Sequence, residues 1–443
     1  IDNSAGVDCS DHEVNIKILL NLALERGRLD VTGRNKLLAA MTDEVSGLVL
    51  RSNYLQTQAL SMMESLTRDR LGADEHFISM LDRQGVLDRD LEQLPDEEAL
   101  RERVARGLGL TRPELSLLLS YSKITLYRDL IESDVPEDPY LSRELEDYFP
   151  QPLREQFSDL MPEHRLWREI IATKVTNSIV NRMGSNFPMR LREDTGANSA
   201  TIAKAYTVVR EIFRARDFWT GIEAMDNQID AALQTEAVLK MWNLLRQMTR
   251  RMISMPGGYS IDISSKVERF APGIRCYIDS LEDVLPASLH KRLHKRRDEL
   301  VAAGMPEEFA LRVARLRFMN SSLDIVDEAR SQDRSVAEVG RVYFELLERL
   351  SLKWLRTTVE KLPVERQWHA HARGNLRDEL YNYHRELTSR ILNECGDQDD
   401  PVAFWFARFD NETTRVMRNL GQADYPSMQV AIRGLAQLLK ATS

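Results

Sequence analysis

The chain has 443 residues, 43% of them hydrophobic and 29% charged, with a formal net charge of -9. That length can hold the core of more than one domain, yet no run approaches the roughly 18–20 apolar residues of a membrane span. The acidic balance argues against nucleic acid as the main partner, because such binding draws on a basic surface.

From the first residue, Ile1 to Val14 reads as turn chemistry leading into a helix start, with no initiator Met. A chain cut from a larger protein at a strand end would begin this way. Ser10 and Glu13 have the spacing of a capping box, and apolar periodicity predicts a helix over Asp11–Arg26. Val14, Ile18, Leu19, Leu20, Leu22 and Leu24 spread round most of it, as in a helix buried on several sides. Further helices are predicted over Arg34–Met41, Asp43–Arg70, Pro113–Glu132, Glu163–Met183, Ser199–Ala215, Ala232–Met255, Glu307–Met319, Val336–Leu362, Leu376–Glu394, Pro401–Leu420 and Ser427–Ala441. Within the Val336 helix, Leu347, Leu350, Trp354 and Leu355 share one face.

Helix punctuation agrees with this pattern. Thr111 and Glu114 form a second capping box, Asp400 precedes a proline at the first helical position, and Gly27, Gly72, Gly304 and Gly421 stand where helices could end. Breaks fall at Glu132–Pro139, Pro256–Pro272 and Cys395–Pro401, the middle one being the preferred boundary. The fold class expected is all-α, an irregular multi-helix bundle with a short strand and turn remnant at the N-terminus. Cys9, Cys276 and Cys395 are too sparse for a disulfide framework and suit a reducing, cytoplasmic setting.

Several motifs start and fail. His12-Glu13 opens like a zinc-protease helix, but the second His position is Ile16. Gly107-Leu-Gly109 lacks both the third glycine and a preceding strand, and reads as a loop closed by the Thr111 cap. His290 and His294 lie four apart on a helix, but Lys291, Arg292, Lys295, Arg296 and Arg297 would repel a cation, so the stretch reads as a solvated face and no metal ligand is assigned. Lys174, Asn177 and Asn181 form a polar stripe beside the apolar Ile171, Val175, Ile179 and Met183. It is either an exposed face or a hydrogen-bonded network, with Gly184, Arg190, Arg192 and Glu193 as candidate partners. An effector site near Lys174, Arg190 and Arg192 is a further reading.

Asn3-Ser4-Ala5-Gly6-Val7, then Ser10 and Glu13, resembles the end of the nucleotide-binding domain of glutamate dehydrogenases. Gly109-Leu-Thr-Arg-Pro-Glu-Leu115, Arg168-Glu-Ile-Ile-Ala-Thr173, Arg192-Glu-Asp-Thr-Gly196 and Arg216-Asp-Phe-Trp219 are similar to the large bacterial NAD-specific members. The resemblance implies a carboxyl-terminal portion of such a subunit, with the N-terminal remnant belonging to a Rossmann-type domain. It implies that residues 1–72 end the catalytic domain and that 73–255 and 256–443 form two parts of a helical domain. It further implies that Asn3 lies beside the nicotinamide of NAD and Ser10 binds the side-chain carboxylate of L-glutamate. Ser10 is equally suited to capping its own helix.

The family's catalytic Lys and Asp would precede Ile1, so no catalytic residue is assigned, and the chain by itself is expected to be inactive and to bind NAD weakly. Expected partners are the remainder of the subunit and, when intact, further copies in a homo-oligomer. The competing reading is a helical scaffold without enzymatic chemistry.

Overall fold

The computed structural model describes residues 2–363, 367–408 and 424–440, with side chains described from Gly6 onward except at 367, 368, 370 and 371. The described residues form helices and connecting turns, with no strand. They divide into two compact units, residues 1–190 with 198–206, and residues 191–197 with 207–443.

The first unit contains α1 (Asp2–Glu25), α2 (Val31–Ala40), α3 (Thr42–Arg83), α4 (Glu97–Ala105), α5 (Arg112–Ile131), α6 (Ser142–Glu146), α7 (Gln151–Phe157) and α8 (Trp167–Met183). Then come α9 (Phe187–Thr195) and α10 (Ser199–Ile212). The second unit continues with α11 (Ala215–Glu223), α12 (Ala231–Ser254), α13 (Ile263–Val284), α14 (Ala287–Ala302), α15 (Glu307–Arg315) and α16 (Ser322–Ser331). It ends with α17 (Val336–Arg349), α18 (Leu352–Lys361), α19 (Gln367–Cys395), α20 (Pro401–Ala407) and α21 (Tyr425–Lys440).

In the first unit α5 packs on α8, and both pack on α3. Their buried stripes are Leu115, Leu118, Leu126 and Leu130 on α5 and Ile171, Val175 and Ile179 on α8. In the second unit α17 packs against α13, α16 and α19.

The punctuation is local chemistry. Asp30, Asp96, Asp230, Asp262 and Asp400 each accept a backbone N–H as N-caps, a contribution of about 1 kcal/mol apiece. Thr111 and Glu114 form the expected capping box, and Arg103 grips the Glu114 carboxylate with two bonds of 2.7 and 2.8 Å. Gly27 (φ 64°) and Gly304 (φ 99°) adopt the left-handed backbone that ends α1 and α14. At Gly109 the requirement is space, since a Cβ there would lie 2.2 Å from Thr67 Cγ2.

Several expectations are corrected. The strand and turn remnant is absent, because α1 is continuous from Asp2 and runs through Ser10 and Glu13. A strand needs a neighbour to pair its backbone groups, and no described residue forms one, whereas a helix satisfies them internally. Ser10 is therefore not at a helix start. Gly72 ends nothing, lying inside α3. The break expected to reach Pro272 ends at Asp262, and Pro272 sits within α13. The single helix over Val336–Leu362 is two, broken at Ser351 (φ 52°), which leaves Trp354 43% exposed while Leu347, Leu350 and Leu355 are buried. Gly421 and the far ends of the last two predicted helices lie outside the described residues.

Candidate functional site

One face of α1 carries a cluster of polar side chains. At about 100° per residue, Asp8, Asp11, His12 and Asn15 share a face, with Ser10 on the opposite side. Ser10 is exposed and Asn15 is buried, 3% exposed. Around that face the fold gathers Tyr148 and His164, from the segments flanking α7, with Lys123 of α5 and Lys174 of α8.

Tyr148 is the centre. Its phenol donates to Asp11 Oδ2 at 2.7 Å and accepts from Asn15 Nδ2 at 2.9 Å. Burial, reinforced by the bond to Asp11, pushes the phenol well above its ordinary range, so it stays protonated. Asn15 Nδ2 also reaches Asp11 Oδ1 at 3.1 Å. His164 is fully buried. Leu166 N–H donates to its Nδ1 at 3.1 Å, so the ring proton is on Nε2 and is donated to the Asn15 carbonyl at 3.1 Å. Burial holds His164 below the usual imidazole range, consistent with that neutral form.

The other half of the cluster is less satisfied. His12 stacks on Tyr148, centroids 4.6 Å apart, with Nδ1 buried and without a hydrogen-bond partner. Its pKa is lowered, chiefly by burial, while Asp11 and Asp8 pull it up and Lys174 pulls it down. Asp8 Oδ2 is also buried without a partner. Burial lowers Lys123 to about 8, with the Asp8 charge opposing. A lysine in that range can exchange a proton near neutral pH.

A second polar knot lies on α3. Asp74 accepts from Thr67 Oγ1 at 3.1 Å and from Asn186 Nδ2 at 2.8 Å, and burial raises its pKa to about 6. Thr67 Oγ1 in turn accepts Leu110 N–H at 3.0 Å, which is why Gly109 must come so close.

The polar stripe of α8 resolves into parts. Lys174 and Asn177 are half-buried, and Asn181 is 5% exposed with Oδ1 unpartnered. The Lys174 charge acts on His12 and the Arg190 charge on Asp74, while Arg192 belongs to the second unit. The Asn3 side chain lies outside the described residues. Tyr148, His164 and Lys123 were not singled out in the sequence. Only the Ser-Asp-His-Glu-Val-Asn run of α1 carried a signal, as polar residues at helical spacing on a largely apolar helix.

A dinucleotide site needs a glycine-rich turn between a strand and a helix to cradle the pyrophosphate. The described residues contain no strand.

The chain, helical throughout its described residues and with this polar seam against its first helix, matches two family models in order. Residues 1–63 match the catalytic domain of bacterial NAD-glutamate dehydrogenase, and residues 107–437 match the C-terminal region of glutamate dehydrogenase. The chain belongs to this family of large bacterial NAD-specific glutamate dehydrogenases. It is similar to the NAD-specific glutamate dehydrogenases of Halomonas elongata (40% identical), Pseudomonas aeruginosa (39%) and Mycobacterium tuberculosis (31%). In each case the match takes in 100% of this chain and 28% of the relative, so the chain spans a little over a quarter of their length.

Proposed function

We propose that the chain is the helical carboxyl-terminal part of an NAD-dependent glutamate dehydrogenase, whose intact form oxidatively deaminates L-glutamate to 2-oxoglutarate and ammonium. In this reading the chain supports, assembles or regulates the catalytic core and does not itself transfer hydride. Residues 1–72 close the catalytic domain, and 73–255 and 256–443 are the two parts of the helical region. Asn3 faces the nicotinamide end of NAD, and Ser10 the substrate carboxylate.

One observation carries the reading. α1 lies within the match to the catalytic domain, and its polar face is held by Tyr148 and His164, which lie within the match to the C-terminal region. That seam is what a helical part anchored to a catalytic domain requires. The exposed side of α1, with Ser10, stays available to a pocket built by other residues.

Calorimetric titration of this chain with NAD is expected to give no tight binding, and tight binding would overturn the inactive reading. In the full-length enzyme, Ser10→Ala is expected to raise KM for glutamate by about 10-fold or more, the cost of a hydrogen bond to a charged group. An unchanged KM would remove Ser10 from the substrate site.

A further inference from the structure

The second unit carries a constellation apart from the seam at α1. Glu282, near the end of α13, and His290 and His294, one turn apart on α14, converge across the short link at Leu285 and Pro286. All three are half-buried, and one ligand atom from each lies within 4.8 Å of the others. His294 Nε2 is 3.1 Å from His290 Nε2 and 3.3 Å from Glu282 Oε2.

Those spacings are informative. Ligand atoms held about 2.0–2.1 Å from a tetrahedral ion stand roughly 3.3–3.4 Å apart along each edge. The two separations that His294 makes, to His290 and to Glu282, are already near that value, and the third pair lies within 4.8 Å. Arg315 donates to Glu282 Oε1 at 2.6 Å, which orients the carboxylate and leaves Oε2 toward the imidazoles, as outer partners of metal ligands do.

The basic neighbours do not fill the same space. Lys291, Arg292 and Lys295 are exposed. Arg296 pairs with Glu236 and, at 2.9 Å, with Glu299. Arg297 pairs with Asp298 at 2.7 Å and Glu307 at 3.9 Å, although its charge also acts on Glu282. Imidazole with a single carboxylate selects borderline divalent ions over Mg2+ or Ca2+.

We propose that Glu282, His290 and His294 form a zinc site that ties the end of α13 to the start of α14, its fourth position taken by water.

The test is titration of the chelator-treated chain with Zn2+, and with Co2+ as a spectroscopic probe. The expected result is saturable binding, a visible Co2+ spectrum of tetrahedral type and a higher melting temperature with Zn2+. His290→Gln and Glu282→Gln should each weaken Zn2+ binding by about 10-fold or more, with melting of the metal-free proteins checking that they fold. X-ray absorption of the zinc-loaded wild type, which needs no variant, should show nitrogen and oxygen neighbours. Absence of saturable binding, sulfur in the zinc shell, or affinity unchanged by both substitutions would each overturn the proposal.

Discussion

The two units bury ionisable groups against different partners. In the second unit the buried charges meet strong partners. Arg251 Nε donates to Asp324 Oδ1 at 2.8 Å, the two side chains being 7% and 1% exposed. Arg250 grips Asp378 with bonds of 2.6 and 2.9 Å. Arg356, stacked over the Tyr381 ring at 3.9 Å, donates to Tyr343 Oη at 3.0 Å and to His384 Nδ1 at 2.7 Å. The His384 proton is thereby placed on Nε2, which donates to the Tyr343 carbonyl at 2.9 Å. Burial and the Arg356 charge keep His384 neutral. This network fixes how α12, α16, α17, α18 and α19 pack.

In the first unit the seam at α1 leaves Asp8 Oδ2 and His12 Nδ1 without partners, and Lys123 is drawn toward neutrality. Buried groups left this way lower stability, and they are where binding and proton transfer are found. The second unit's polar core is thus built on ion pairs, although Asp324 Oδ2 and the Nε atoms of Arg250 and Arg356 also lack partners there, whereas the seam gathers a lowered lysine and a stacked imidazole against one helix face.

The largest expected effect tests the structural side. Asp324→Ala strands the Arg251 guanidinium and should cost about 3–5 kcal/mol in urea unfolding. A loss below about 1 kcal/mol, the level of a surface pair, would break the comparison.

Next is the pH dependence set by Asp74. Its pKa is raised from 3.8 unfolded to about 6 folded, so between those values the native state binds more protons. Stability through this group should therefore fall by about 2–3 kcal/mol as pH rises from about 4 to 7. Asp74→Asn should flatten that slope in melting curves taken across the range, and an unchanged slope would place it on another group.

The smallest effect belongs to Lys123, lowered from 10.5 to about 8. Here the native state binds fewer protons between those values, so stability should rise with pH from about 8 to 10. Because Lys123 keeps partial access to water, Lys123→Met should stabilise the chain at pH 7 by only about 1 kcal/mol. A destabilised variant would mean that Asp8 and Lys123 form a satisfied pair, making the seam structural as well.

Much of the fold was legible because helix signals are local. Apolar residues three and four apart, the Asp400 cap and the Thr111–Glu114 box act within one or two turns, so the helical architecture could be read without knowing what packs on what. The errors arose where local signals compete. Ser10 with Glu13 has capping spacing, but the preceding residues continue the helix. Gly72 and Pro272 are helix breakers by propensity that tertiary packing overrides. Ser351 carries no strong breaking signal, yet its left-handed backbone divides α17 from α18.

The candidate site was less legible. Half of it, the Asp8, Asp11, His12 and Asn15 face, is a helical pattern in the sequence, but its partners are remote. Tyr148 lies 137 positions from Asp11 and His164 lies 149 from Asn15. The same holds for Glu282 and the histidines of α14. Sequence showed the i, i+4 imidazoles and the basic residues around them, but the structure brings in the carboxylate, leaves Lys291, Arg292 and Lys295 exposed and pairs Arg296 and Arg297 with other carboxylates. The sequence by itself determined the helical class, many of the helices and the family, because periodicity, capping and motif register are properties of neighbouring residues. Only the tertiary structure decided which polar groups are buried, paired or left unpartnered, because desolvation and charge depend on what distant helices place within a few ångströms.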